Sequence, residues 1–167
     1  MIAAIAAVDK NLGIGYQGKM LINIPEDLKY FRNITMGSVV IMGRKTYESL
    51  PDHGLEGRLN IVITHQAKDF GIYTDGDVIF MDLECVRSML INRIFKSDIY
   101  IIGGNQIYKE LLPFCDKIYL TKINKEFKQV DTYFPPFKRS EWKCIDEGKI
   151  QKSTIDVEYQ FQLYGRI

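Results

Sequence analysis

The sequence predicts an α/β fold of three layers. A central, mostly parallel eight-stranded sheet carries about four helices and ends in an antiparallel C-terminal hairpin. Three observations predict it. Short apolar runs such as IAAIAAV, VVIM, LNIVIT and IYII recur along the chain, as expected of strands covered on both faces. Helical stretches separate them, which implies βαβ crossovers and parallel pairing. Near the C-terminus the pattern changes to apolar–polar alternation, the mark of strands with one wet face.

In order, residues 2–8 form the first strand. Asn23 is placed to cap a helix, Pro25 suits its first turn, and the helix runs through EDLKYFRNI. Residues 39–42 form the second strand, and RKTYESL after Gly43 is helical. Strands follow at 59–64 and 77–81, a helix at 83–94, and a strand at 99–102. Gly103 and Gly104 then open a helix ending near Pro113, before a strand at 117–123. Segments 142–146 and 155–164 make the terminal hairpin.

The 167 residues suit a single domain over 1–167. Formal net charge is +1, from 22 basic and 21 acidic residues. That balance supplies no electrostatic reason for nucleic acid or an anionic membrane as partner. Cys85, Cys115 and Cys144 are odd in number and form no C-x-x-C, which reads as structural thiols in a reducing compartment. His53 and His65 are the only histidines, so no metal site is expected. The N-terminus has no basic region before its apolar run, and no stretch approaches a spanning length. A cytoplasmic protein is expected.

On the first helix, Ile24, Asp27, Leu28, Phe31 and Ile34 share one face at 3.6 residues per turn, while Glu26, Lys29, Tyr30 and Asn33 fall mostly on the other. Glu26 is therefore expected in solvent and Asp27 in an apolar stripe. Two readings of Asp27 stand. It can serve the helix, whose first turn favours negative charge. Or it can line a pocket and hold an amidine-like group, whose parallel N–H donors match its two oxygens.

The stretch GIGYQG spells G-x-G-x-x-G with Gly13, Gly15 and Gly18. A dinucleotide fingerprint must open a helix at once. KMLIN follows instead, so the glycines read as a flexible loop able to close over whatever Asp27 holds. Two other places have the strand–turn–helix form that binds phosphate. One is Gly43 with Arg44, Lys45 and Thr46, which is otherwise the basic first turn of a surface helix. The second is Gly103-Gly104, otherwise a tight turn. Both sit at carboxyl ends of strands, and together they suggest a ligand anchored at several points, such as a dinucleotide.

These residues carry a wider pattern. IAAVDKNLGIG, IPEDLKYFRNITMG, VIMGRKTYESL, GRLNIVIT, IIGGNQIYKELLP, KIYLTKI and DTYFP occur in this order over most of the chain. The chain resembles dihydrofolate reductase from end to end, at the size of a free-standing enzyme with no fused synthase. The resemblance implies NADPH-dependent reduction of 7,8-dihydrofolate to tetrahydrofolate, supplying one-carbon metabolism and thymidylate synthesis. It implies that Asp27 is the single active-site acid. Ile5, Leu28, Phe31, Leu50 and Ile102 match apolar pocket positions, and Thr121 matches the threonine supporting the acid. Arg58 matches the arginine that forks onto the substrate's glutamate carboxylate, and Tyr108 the tyrosine near the nicotinamide.

For NADPH, the resemblance implies Ala7, Ile14, Gly15, Gly18 and Lys19 on the first strand and loop, and Gly43 to Thr46 at the first phosphate turn. It adds Gly103, Gly104, Asn105 and Gln106 at the second, whose glycine pair contains a cis peptide in the family. Thr64 and His65 match positions that meet the 2′-phosphate in some members. Antifolates are implied as ligands, and a monomer is expected. The sequence also departs from the family. Leu21-Ile22 stand where Pro-Trp is usual, Glu56 where a proline precedes Gly57-Arg58, and Asn105 where a third small residue is common. Asp52 and His53 replace a region that often carries a basic residue for the substrate tail. A pteridine or pyrimidine reductase on the same fold is the nearest alternative, but a substrate lacking the glutamate tail needs no counterpart of Arg58. A non-catalytic folate- or nucleotide-binding module is the other, against which Asp27, Arg44 and Arg58 all stand.

Overall fold

The computed structural model describes residues 1–66 and 73–167. Its elements run β1 (Ile2–Val8), β2 (Gly13–Tyr16), β3 (Lys19–Met20), α1 (Pro25–Thr35), β4 (Val39–Gly43), α2 (Arg44–Ser49), β5 (Leu59–Ile63), β6 (Tyr73–Asp75) and β7 (Val78–Met81). They continue with α3 (Leu83–Ile91), β8 (Ile99–Gly103), α4 (Asn105–Leu111), β9 (Lys117–Ile123), β10 (Thr132–Tyr133), β11 (Trp142–Glu147), β12 (Gln151–Lys152) and β13 (Glu158–Arg166).

The main sheet has the order β11-β13-β9-β1-β8-β4-β5-β7-β6. Eight of these are the expected strands. The short β6, and β12 pairing with β13, bring the described sheet to ten. From β9 to β7 every pairing is parallel, whereas β13 lies antiparallel to both β9 and β11.

The period of two along each strand splits the apolar residues between two cores. Ile2, Ala4, Val39, Ile41 and Ile101 pack with Val86 and Leu90 of α3 and Leu111 of α4. Ala3, Ile5, Val40 and Met42 pack with Phe31 and Ile34 of α1 and Tyr47 of α2. Two helices on each face give the three layers. Ile41, Ile61 and Ile101 are fully buried, and each such side chain contributes about 1.5–3 kcal/mol by leaving water.

Four local expectations are corrected. Helix α1 is capped by Ile24, in extended conformation and without a side-chain hydrogen bond, and Asn23 lies outside it. Pro25 at the first position fixes the entry angle instead. Glu26 does not stand free in solvent: its Oε1 accepts the Thr154 N–H at 2.8 Å. Helix α3 ends at Ile91, not 94, because Asn92 donates its side-chain amide to the Ser88 carbonyl and stops the last turn. The last strand begins at Glu158, since residues 153–157 form a turn closed by the Ser153 N–H on the Val157 carbonyl.

The glycine-rich stretch is also not a plain loop. β2 and β3 form a hairpin whose two turn residues, Gln17 and Gly18, have φ of 48° and 75°. Paired positive φ values make a tight primed turn, which glycine adopts without strain. β10 pairs along β2, so the hairpin is part of a three-stranded sheet of its own.

Candidate active site

Helix α1 presents Asp27 from its first turn. The carboxyl group is 8% exposed, and its Oδ1 accepts a 2.5 Å hydrogen bond from the hydroxyl of Thr121 on β9. Among the described residues no lysine or arginine pairs with it. Burial pushes the Asp27 carboxyl above its ordinary range, and the Thr121 hydrogen bond opposes that shift. A buried acid held by one hydroxyl keeps its other oxygen for a ligand.

Thr121 stands directly opposite Ala7 in the β1–β9 register. On the same strand β1, the Ile5 carbonyl accepts the hydroxyl of Tyr108 at 2.7 Å. Tyr108 is buried on α4, and burial drives its hydroxyl far up, so it stays a neutral donor. Ile5, Phe31, Leu50 and Ile102 join one apolar cluster. Leu28 does not: it remains 44% exposed beside the buried Asp27.

Strands β5, β4 and β8 lie side by side and end in register, with Gly43 opposite Ile63 and Met42 opposite Gly103. Thr64, Arg44 and Gly104 therefore emerge next to one another at the carboxyl edge of the sheet. The two glycine turns meet there, for a Cβ on Gly104 would lie 3.6 Å from the Thr46 hydroxyl. The Gly103–Gly104 peptide is cis. Arg44, Lys45 and His65 are exposed, and among the described residues Arg44 pairs only with Glu48, at 3.6 Å. An exposed pair of that length holds its cation weakly. The side chains of the next two positions are already engaged. Asn105 donates to the Tyr133 carbonyl at 2.5 Å, and Gln106 donates to Glu110 at 2.8 Å.

Arg58 is 7% exposed. Its Nη1 donates to Thr35 Oγ1 at 3.0 Å and its Nε to the Glu56 carbonyl at 3.1 Å. These bonds use two of the guanidinium's five donors. Burial first, and Arg32 second, lower its pKa, a cost that a bound anion would remove.

On the hairpin, Ile14 is half-buried, Gly15 is buried, and Gly18 and Lys19 are exposed. Asp131 pins the hairpin in two places: its N–H donates to the Gly15 carbonyl at 3.1 Å, and its Oδ2 accepts the Gln17 N–H at 2.9 Å. Sequence reasoning missed this role, and only the DTYFP segment marked the region. Ile22, after the hairpin, packs against Ile24, Ile123 and Tyr159. A groove of about 610 Å³ lined by Tyr16, Lys19, Met20, Leu21 and Phe127 flanks the hairpin, but Asp27 does not line it. The buried acid and its neighbours define the site better than that open groove does. Among the described residues no group of histidine, cysteine or acidic side chains is placed to hold a metal ion.

The family model for dihydrofolate reductase matches residues 1–166. The chain belongs to the dihydrofolate reductase family. It is 38% identical to a dihydrofolate reductase of Buchnera aphidicola subsp. Acyrthosiphon pisum, covering 99% of each chain. It is also 38% identical to one of Bacillus subtilis, over 99% of this chain and 95% of that one. Among solved structures, an Enterococcus faecalis dihydrofolate reductase complexed with NADP(H) and RAB-propyl matches with a TM-score of 0.84. That match has 31% identity and covers 99% of this chain and 96% of the other. Within this dihydrofolate reductase fold, the buried Asp27–Thr121 pair and the two glycine turns occupy one edge of the sheet.

Proposed function

We propose that the chain reduces 7,8-dihydrofolate to 5,6,7,8-tetrahydrofolate, with hydride to C6 and a proton to N5, as one domain over residues 1–167. The single observation that carries the reading is the Asp27 carboxyl, buried and, among the described residues, bonded only to Thr121. A pterin's ring N–H and 2-amino group offer two parallel donors, which such a carboxylate accepts together. Its raised pKa lets it share the proton that the reaction needs, delivered through water because the acid holds the ring by its other side. Ile5, Phe31, Leu50 and Ile102 supply apolar walls, and the exposed Leu28 is free to close on the ring. Arg58 forks onto the α-carboxylate of the glutamate tail.

The residues at the sheet edge fit a dinucleotide phosphate. Arg44 is accessible and weakly engaged, Thr46 adjoins Gly104, and both turns lie where parallel strands end. Bound NADPH supplies the hydride. Arg44, Lys45, Thr46, Gly43, Gly103 and Gly104 would hold its phosphates, with Thr64 and His65 at the 2′-phosphate, and Asn105 and Gln106 acting through backbone N–H groups. Ala7, Ile14, Gly15, Gly18 and Lys19 line the nicotinamide side. The β2–β3 hairpin acts as the lid that excludes water.

The chain works as a cytoplasmic monomer on this reading. No described helix is long and apolar enough to cross a membrane. Steady-state oxidation of NADPH with dihydrofolate as acceptor tests the proposal. No oxidation would end it, and equal rates with unconjugated dihydropterins would favour a pteridine reductase.

A further inference from the structure

Asp9 is a buried acid that the proposed chemistry does not use. It follows β1 and is 1% exposed. Oδ1 accepts the N–H groups of Asn11 at 2.9 Å and Gly13 at 2.7 Å. Oδ2 faces the Phe127 N–H at 3.4 Å. No lysine or arginine pairs with it among the described residues.

Burying an unpaired carboxylate is costly. The turn at Asn11 and Gly13 alone does not require one, because an asparagine carbonyl would accept both N–H groups without a charge. What asparagine cannot do is accept on both sides, since its second group is a donor. The carboxylate is thus explained by the segment its second oxygen faces. That segment touches the root of the hairpin at neighbouring points. Lys10 N–H donates to the Lys125 carbonyl at 3.2 Å, and Asn11 donates to Glu126 at 3.0 Å. Space in the joint is filled: a Cβ on Gly13 would lie 2.9 Å from Asp9 Oδ1 and 2.8 Å from Val130 Cγ1.

We propose that Asp9 is a positioning residue that joins the root of the β2–β3 hairpin to the 124–131 segment and so sets where the lid lies over Asp27. Asp131 fixes the outer end of the same hairpin, and Asp9 fixes the end nearest the sheet. The proposal rests on the lid reading above.

Asp9→Asn tests it with little change in volume. Amide hydrogen exchange should quicken at least fivefold across residues 14–20 and stay unchanged across Leu59–Ile63. Single-turnover hydride transfer at saturating ligands should fall at least fivefold, while NADPH affinity changes less than twofold. Gly13→Ala, which wedges the joint and keeps the carboxylate, should give the same pattern. A purely structural acid would lower thermal stability and leave transfer alone. Parent-like exchange over 14–20, or transfer within twofold of the parent in either variant, would overturn the proposal. If the parent itself transfers no hydride, the reductase reading fails, and the exchange measurement alone then decides whether Asp9 holds the hairpin.

Discussion

The hydroxyl of Thr121 donates to Asp27 across 94 positions of sequence, at 2.5 Å and out of solvent. This bond is the only hydrogen bond to the Asp27 carboxyl among the described residues, and it works against the upward shift caused by burial. Thr121→Val should therefore raise the acid's pKa further and move the pH profile of kcat/KM to higher pH. Leaving a buried acceptor unmade also costs about 1–3 kcal/mol of stability. Thr121→Ser should restore both, and an unmoved profile in the valine variant would separate Thr121 from the acid.

Asp27→Asn should keep the fold and NADPH binding and lose roughly a hundredfold or more of turnover at pH 7. Part of the rate should return at low pH, where the substrate arrives protonated. Stability should move the other way. A carboxyl whose folded pKa is raised favours the fold below its ordinary value of 3.8, and that contribution is lost as pH rises through the folded value. The asparagine variant should thus melt above the parent at neutral pH, with the difference vanishing in acid. Full turnover at pH 7 would show that another group is the acid.

Arg58→Lys should raise KM for dihydrofolate about tenfold with little change in kcat, since a point charge replaces a two-pronged donor. KM for NADPH should not move. The same substitution should be silent with a substrate that lacks the glutamate tail, and an equal effect on both substrates would remove Arg58 from tail recognition.

Ile22 packs among Ile24, Ile123 and Tyr159, beside Phe127 and the β12–β13 turn. Ile22→Trp must push into that cluster and alter how the lid's trailing edge rests. Turnover or affinity for a diaminopyrimidine antifolate should change. Indistinguishable kinetics and inhibition would mean that this position does not influence the lid.

The sheet was legible because its strands are buried on both sides, so IAAIAAV and IYII needed no partner to be recognised. Asp27 was legible because helical periodicity put a charge on an apolar stripe. The hairpin was not, since glycine-rich sequence reads as loop and β3 is only two residues long. Contacts made across the fold left no local trace either. Gln17 meets Asp131 across 114 positions, and Glu26 meets the Thr154 backbone across 128. Nothing in the sequence singled out Asp9, and only three dimensions show that its second oxygen faces Phe127.

The place of β13 between β9 and β11 has a consequence for biosynthesis. Thr121 sits on β9 opposite Phe161 of β13, so the strand that steadies the acid is flanked on that side by residues made well after it. Pairings so distant in sequence form slowly. A chain still emerging from the ribosome through residue 150 can lay down β1, β4, β5 and β8, but it leaves β9 as a bare margin. The support around Thr121 is thereby incomplete until β13 has paired with β9.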